Sequence, residues 1–235
     1  MKNQYFGDIN DYHKYGLLRS IQEVSKLSIL FAWMLTEDDG SNDGRRTEYL
    51  KQPESWAVYD PILFEWLQNN VAANDHRQVS LIENAGLFQP AKFFYDLVPA
   101  DARIRRDWLE RLANIASKTD LVFFDPDNGI EIRSISPGLR NSKKYVFWEE
   151  LAKLWQQHNS ILVYQHFPRE SHHAFTQRML QAMTDRLPGS CPIAFSTSHV
   201  LFLLALQPRH SHHACDITYK VRKSWRGRFK ITILE

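Results

Sequence analysis

The chain predicts a Rossmann-like α/β domain: a mostly parallel sheet, helices on both faces and an antiparallel C-terminal edge. Two observations carry that expectation. Short apolar runs of strand length alternate with longer amphipathic stretches along the chain. One of the runs, Leu121 to Phe124, has no polar position at all and stops abruptly at Asp125-Pro126. A run too brief for a helix and apolar at every position suits a strand buried on both faces of a parallel sheet.

In chain order, Gly7-Asp8-Ile9-Asn10-Asp11 offers a turn and a cap, and Tyr15, Leu18 and Ile21 then recur at helical spacing. Residues 1–27 are therefore expected as an N-terminal helical segment. Ser28 to Leu35 follows as a central strand, and it runs into a polar loop from Thr36 to Thr47. Glu48 to Asn70 is expected as helix in two pieces, interrupted near Pro53 and Pro61. Gln78 to Glu83 and Ala91 to Asp96 are expected as the next two strands, each ending in an acid. Asp101 to Lys118 is expected as a helix carrying Ile104, Trp108, Leu112 and Ile115 inward.

After the Leu121–Phe124 strand, Tyr145 to His158 is expected as a helix and Ser160 to Tyr164 as a strand leading into Gln165-His166-Phe167-Pro168-Arg169-Glu170. Ser171 to Leu187 is expected as a helix and Ser198 to Leu206 as a strand. Asp216 to Val221 and Phe229 to Leu234 are expected as closing strands, making residues 214–235 a basic hairpin. No repeat or low-complexity linker divides the chain, so residues 1–235 are expected as a single domain.

Composition narrows the function classes. The 235 residues are 43% hydrophobic and 24% charged with a formal net charge of +2, as in an ordinary globular protein. The two cysteines, Cys191 and Cys215, supply neither a disulfide framework nor a zinc-ribbon spacing, which suits a reducing compartment. The N-terminus has no apolar signal core, and the longest apolar run, Val200 to Leu206, is far shorter than a membrane span. A cytoplasmic protein without a membrane partner is expected. The histidines at 172–173 and in His210-Ser-His-His213 read as surface loops, and most tryptophans as core.

The chemistry is expected at the carboxyl edge of the sheet, where open α/β proteins bind ligands. Asp125 and Asp127 stand directly after a buried strand, with Asn128-Gly129 able to turn the chain. His166 and Arg169 follow another strand at the same edge, the one suited to proton transfer and the other to a phosphate. Glu83 and Asp96 end strands where a nucleotide's ribose is commonly held, and Thr36 opens the loop after the first strand. No Gly-x-Gly-x-x-Gly or Walker sequence is present, which argues against a dinucleotide or nucleoside triphosphate in that loop. A second chemistry takes Asp125, Asp127 and Glu131, joined by Asp8 and Asp11, as hard oxygen ligands for Mg²⁺ or Mn²⁺ in a phosphodiester hydrolase. The tail mixes Lys220, Arg222, Lys223, Arg226, Arg228 and Lys230 with Trp225 and Phe229, a composition suited to nucleic acid. Arg103, Arg105, Arg106, Lys143 and Lys144 are further cations on that reading.

The order of these pieces resembles the class I S-adenosylmethionine-dependent methyltransferases, in particular the bacterial adenine-N6 methyltransferases of large-subunit ribosomal RNA. The segment from Gly7 to Arg19 is similar in place and pattern to that family's N-terminal turn. Arg46-Thr-Glu-Tyr-Leu50 is similar to its segment after the first strand, and Ser196 to Phe202 to its last strand entry. Asp125-Pro126-Asp127-Asn128 stands where the family has Asp-Pro-Pro-Tyr, so the second proline and the tyrosine are replaced. The glycine-rich cofactor loop is replaced by Glu37-Asp38-Asp39-Gly40. The resemblance implies S-adenosylmethionine as cofactor and a nucleic-acid amino group as target, with Asp125 at the target and Lys14 near the cofactor. The candidate catalytic set is Lys14, Asp125, Asp127, Asn128 and His166. The candidate cofactor set is Lys14, Thr36, Glu83 and Asp96. The candidate nucleic-acid set is Arg169, Arg222, Lys223, Trp225, Arg226 and Arg228. A non-catalytic nucleic-acid-binding relative is the third class the sequence allows.

Overall fold

The computed structural model describes residues 1–38, 44, 46–71 and 77–234. Asp39 and Gly40 of the acidic loop lie outside the described residues. The chain opens with α1 (Ile9–Ser25), β1 (Ile29–Ala32), α2 (Pro53–Trp56), α3 (Pro61–Val71), α4 (Ser80–Glu83), β2 (Ala91–Phe94), α5 (Ala102–Ala116) and β3 (Leu121–Phe124). It continues through β4 (Gly129–Ile130), β5 (Tyr145–Val146), α6 (Trp148–Gln156), β6 (Ser160–His166) and α7 (His172–Arg186). It closes with β7 (Cys191–Ser196), β8 (Val200–Leu206), α8 (Ala214–Ser224) and β9 (Lys230–Ile233).

The fold is Rossmann-like α/β around a seven-stranded mixed sheet in the order β2-β1-β3-β6-β8-β7-β9. The first four strands in that order are mutually parallel, with Ile29 level with Ala91 on one side and Leu121 on the other. From β6 onward every pairing is antiparallel. The antiparallel edge is thus three strands wide.

Alternation along the strands builds two cores. Ile29, Phe31, Trp33, Leu121, Phe123, Leu162 and Phe202 face one layer with α1, α3 and α8. Leu30, Ala32, Met34, Val122, Phe124, Ile161 and Leu203 face the other with α5, α6 and α7. This two-sided burial is why the central strands carry no polar position. Asp8 starts α1 by accepting hydrogen bonds from the amides of Asn10 (2.7 Å) and Asp11 (3.1 Å). Asp101 starts α5 in the same way, through the amides of Arg103 and Ile104.

Three local expectations are corrected and one strand is added. Gln78 to Glu83 is not a strand: its buried residues, Val79 and Ile82, are three apart, and Ser80–Glu83 forms a helical turn. Asp216 to Val221 lies in α8, where Ile217, Thr218 and Val221 are buried at helical spacing, so residues 214–233 hold a helix and an edge strand instead of a hairpin. Tyr145 and Val146 form a short strand, and the helix begins at Trp148, where the Glu150 carboxylate accepts from the Phe147 amide at 2.9 Å. Finally, Cys191–Ser196 is a strand although it contains Pro192. Pairing with β9 begins only at Ile193, so the missing N–H of Pro192 costs no ladder bond there. Smaller departures are that Pro53 and Pro61 begin helices, and that Ile104 is 57% exposed.

Candidate functional site

Because β1, β2, β3 and β6 run the same way, their carboxyl ends share one edge of the sheet. The chain leaves β1 toward β2 on one side, while β3 lies on the other. Such a reversal opens a crevice between neighbouring strand ends, the usual ligand position in this class of sheet. The amino group of Met1 sits in this crevice, donating to the carbonyls of Met34 (3.1 Å) and Asp125 (2.9 Å). Met34 just after β1 has a left-handed backbone (φ 49°), a strained state for a long side chain and one that often marks a site.

Asp125 extends from β3, its amide donating to the Ala32 carbonyl at 3.1 Å. Its carboxylate Oδ2 is 2.6 Å from Lys14 Nζ, which comes from α1 on the first core's side. The same ammonium is 2.6 Å from Asp11 Oδ1 and lies 5.0 Å from the centre of the Tyr164 ring. Asp11 Oδ2 accepts from the Gly7 amide at 2.9 Å. Asp127 Oδ1 is 2.7 Å from the Met1 amino group, and its Oδ2 accepts from Thr36 Oγ1 at 2.7 Å.

Electrostatics follow from this packing. Burial acts against the Lys14 ammonium, but the Asp11 and Asp125 carboxylates outweigh it and hold its pKa above the ordinary value. Burial raises the Asp125 carboxyl, with Lys14 offsetting part of the effect. Burial, reinforced by the neighbouring Asp11 charge, pushes Asp8 up to about 7. Asp127 goes the other way: burial would raise it, but the Met1 amino group and the Thr36 hydroxyl bring it below the usual carboxylate range. His166 has an accessible surface, yet its ring stands in a concave site. Partial desolvation, and then the charge of Lys14, lower its pKa.

Two cavities occupy this edge. The first, about 350 Å³, is lined by Tyr5, Asp8, Asn10, Lys14, Arg46, Asp125, Asp127, Asn128, Tyr164 and His166. The second, about 520 Å³, lies at the ends of β1 and β2 and is lined by Thr36, Glu37, Asp96, Leu97, Val98, Ile104, Arg111 and Lys143. Thr36 belongs to the second, and the Asp127 it donates to belongs to the first.

The structure therefore gathers Lys14, Asp125, Asp127, Asn128 and His166 around one cavity, and Thr36 and Asp96 around its neighbour. Asn128 contributes its backbone: its amide donates to the Lys144 carbonyl, and its own carbonyl accepts from Gln165 Nε2 at 3.3 Å. Glu83 stands apart, accepting from Trp33 Nε1 at 2.7 Å, which faces the first core. Glu131 is turned to the start of α6, accepting from the Trp148 amide at 2.9 Å. Among the described residues no group of three or more His, Cys, Asp or Glu has an arrangement able to hold a metal ion.

The tail is also rearranged. Arg169, Arg222, Lys223 and Arg226 are exposed. Trp225 is 1% exposed, packed against Gly16 of α1, so it has no face for a base to stack on. Arg105 is buried and holds Glu150 through two hydrogen bonds (2.6 and 2.9 Å), which removes it from the positive surface. Lys143 pairs with Glu37 at 2.9 Å. No described helix is long and apolar enough to cross a membrane.

Sequence reasoning left Tyr5, Arg46 and Tyr164 out of the site. It placed Asp8 and Asp11 only among metal ligands, although Asp8, Asp11 and Lys14 recur every third residue, the spacing of one helical face. Comparisons of the chain with protein-family models and with curated proteins find no match.

Proposed function

We propose that the chain is an S-adenosylmethionine-dependent methyltransferase acting on a base amino group of nucleic acid. The observation that carries this reading is the pair of adjoining cavities at the carboxyl edge, linked by the Thr36–Asp127 hydrogen bond. A group transfer needs two molecules held side by side with their reacting ends together. Both cavities fall in the size range of small-molecule sites.

The residues of the larger cavity fit the cofactor's parts. Asp96 and Glu37 offer carboxylates to ribose hydroxyls, Arg111 and Lys143 offer cations to an amino-acid carboxylate, and Leu97, Val98 and Ile104 offer apolar wall to a base. The Asp96–Arg111 and Glu37–Lys143 pairs are solvent-facing, and such pairs exchange partners at little cost. Glu83 has no part in this cavity. When bound, the cofactor would supply an electrophilic methyl group.

The smaller cavity supplies acid–base chemistry. Asp125 is committed to Lys14, and both oxygens of Asp127 are taken by the Met1 amino group and Thr36, so the part of amino-group acceptor falls to Asp8, which lines the same space. With a pKa of about 7, Asp8 is the group suited to take a proton near neutral pH. Tyr5 and His166 line the cavity with aromatic faces on which a base can stack.

Calorimetric titration with S-adenosylmethionine in chelator tests the reading. Saturable heat is expected, with affinity falling at least tenfold in Asp96→Ala. Absence of heat from the wild-type protein overturns it. Heat that appears only after Mg²⁺ or Mn²⁺ is added moves the reading to a metal-dependent hydrolase.

A further inference from the structure

We infer that Arg46, His199 and Arg228 form a binding site for the phosphodiester backbone of a single-stranded nucleic acid, reaching the smaller cavity through Arg46, which lines it. The inference rests on the base-directed reading above and names the groups that would hold the strand.

Arg46 lines that cavity, and its Nη2 is 3.0 Å from His199 Nε2. A guanidinium only donates and stays charged, so the imidazole nitrogen facing it accepts and His199 is neutral there. Among the described residues no carboxylate pairs with Arg46. Arg228 is likewise without an acid: its guanidinium lies 3.8 Å over the Trp56 ring and 4.9 Å over Tyr59, and its buried Nε has no hydrogen-bond partner. Asp60, adjacent to Tyr59 in the chain, is taken by Arg19 at 2.7 Å.

His13 ties these groups into one patch. Its ring packs 5.9 Å from Trp56, the ring under Arg228, and 5.6 Å from Phe229. The Arg46 carbonyl accepts from the Ile9 amide at 3.0 Å, one helical turn before His13, and the Arg228, Arg46 and His199 groups all act on the His13 ring. Neither guanidinium pairs with a carboxylate among the described residues, and an anion stabilises such groups.

The chemistry selects the anion. Planar guanidinium groups match phosphate oxygens, and the Trp56 and Tyr59 rings support the Arg228 guanidinium from beneath. Exposed Arg226 and Lys230 extend the charge along the chain. The cavity that Arg46 lines favours a single strand, because a base enters such a cavity only outside a duplex stack.

Fluorescence anisotropy with a fluorescein-labelled, mixed-sequence single-stranded oligonucleotide, read at several KCl concentrations, tests the site. Arg46→Gln and Arg228→Gln are each expected to lose about tenfold in affinity, the size of one charge-assisted hydrogen bond. Each should also lower the slope of log affinity against log salt by about one. Lys118→Gln, an exposed cation just before β3 at the opposite sheet edge, should do neither. Thermal melts check the fold, and Arg46→Gln decides the matter if Arg228→Gln melts early. The inference is overturned if both arginine variants bind as wild type, if Lys118→Gln loses as much, or if duplex binds as tightly as single strand. Calorimetry with S-adenosylmethionine separates the two proposals: oligonucleotide binding that depends on Arg46, with no donor heat, leaves this site standing and removes the methyltransferase reading.

Discussion

Lys14 and Asp125 meet at 2.6 Å across 111 positions of sequence, with both side chains almost fully buried. The contact pins α1 to the end of β3 and sets the floor of the smaller cavity. Its third member, Asp11, leaves the ammonium between two carboxylates, so the charge is held from both sides. Tyr164 presents its ring to the same ammonium, which adds a cation–π contribution in a desolvated setting.

Removing the cation would leave Asp11 and Asp125 buried without it. Lys14→Met is expected to cost about 3–5 kcal/mol, the usual cost of breaking a buried pair from one side. Urea denaturation measures it, and a loss below about 1 kcal/mol would show that the two acids readily find other partners.

Asp8 makes stability depend on pH with a definite sign. Its pKa rises from the ordinary 3.8 to about 7 on folding, so between those values the folded chain holds a proton that the unfolded chain has lost. Its contribution to stability therefore falls as pH rises through that window. His13 acts oppositely: burial, and then the Arg228 charge, lower it from 6.5 to about 4, so its contribution grows with pH in that range. Asp8→Asn keeps the helix cap but does not titrate. Its stability relative to wild type should climb from about pH 4 and level off above about pH 7, while the variant's own stability curve keeps the His13 slope. A flat difference curve from chemical denaturation at each pH would be the contrary result.

Thr36 joins the two cavities, so its hydroxyl should matter to both stability and transfer. Thr36→Val deletes the donor to Asp127 and is expected to cost about 1–3 kcal/mol in unfolding. Single-turnover transfer should slow about tenfold if a comparable ~1.4 kcal/mol is lost from the reacting state. Oligonucleotide affinity should hold, since Thr36 is not part of the arginine patch. Unchanged transfer in this variant would separate the cavities functionally.

Gly16 is fixed by contact. A Cβ there would fall 1.7 Å from Cζ2 of Trp225, a clash with a rigid ring held under α8. Gly16→Ala should destabilise by about 1–3 kcal/mol or more and shift the tryptophan emission as α8 lifts from α1. Wild-type stability in this variant would mean that Trp225 has a second resting place.

Much of the parallel half was legible because its signals are local. Leu121 to Phe124 is apolar on both faces, and Ser171 and Asp101 cap helices by their own side chains. The misread segments were those where a short apolar run fits either period. Gln78 to Glu83 mixes polar and apolar positions over too few residues to show a period, and Ile217 and Val221 lie in α8, which packs on α1 beside the Trp225–Gly16 contact. Pro192 hid β7, because its position relative to the end of β9 is invisible along the chain.

The sequence by itself determined that the domain is α/β and that carboxylates collect after the central strands, since strand length, apolar runs and turn residues are properties of neighbouring positions. Only the tertiary structure decided which carboxylates meet. It joined Asp125 to Lys14, turned Glu131 to α6 and Glu83 to Trp33, buried Trp225, and laid the Arg228 guanidinium over Trp56. Those pairings depend on how the sheet orders its strands and how α1 crosses their ends, which brings together groups distant along the chain, Lys14 and Asp125 being 111 positions apart, and so leaves no periodic trace in it.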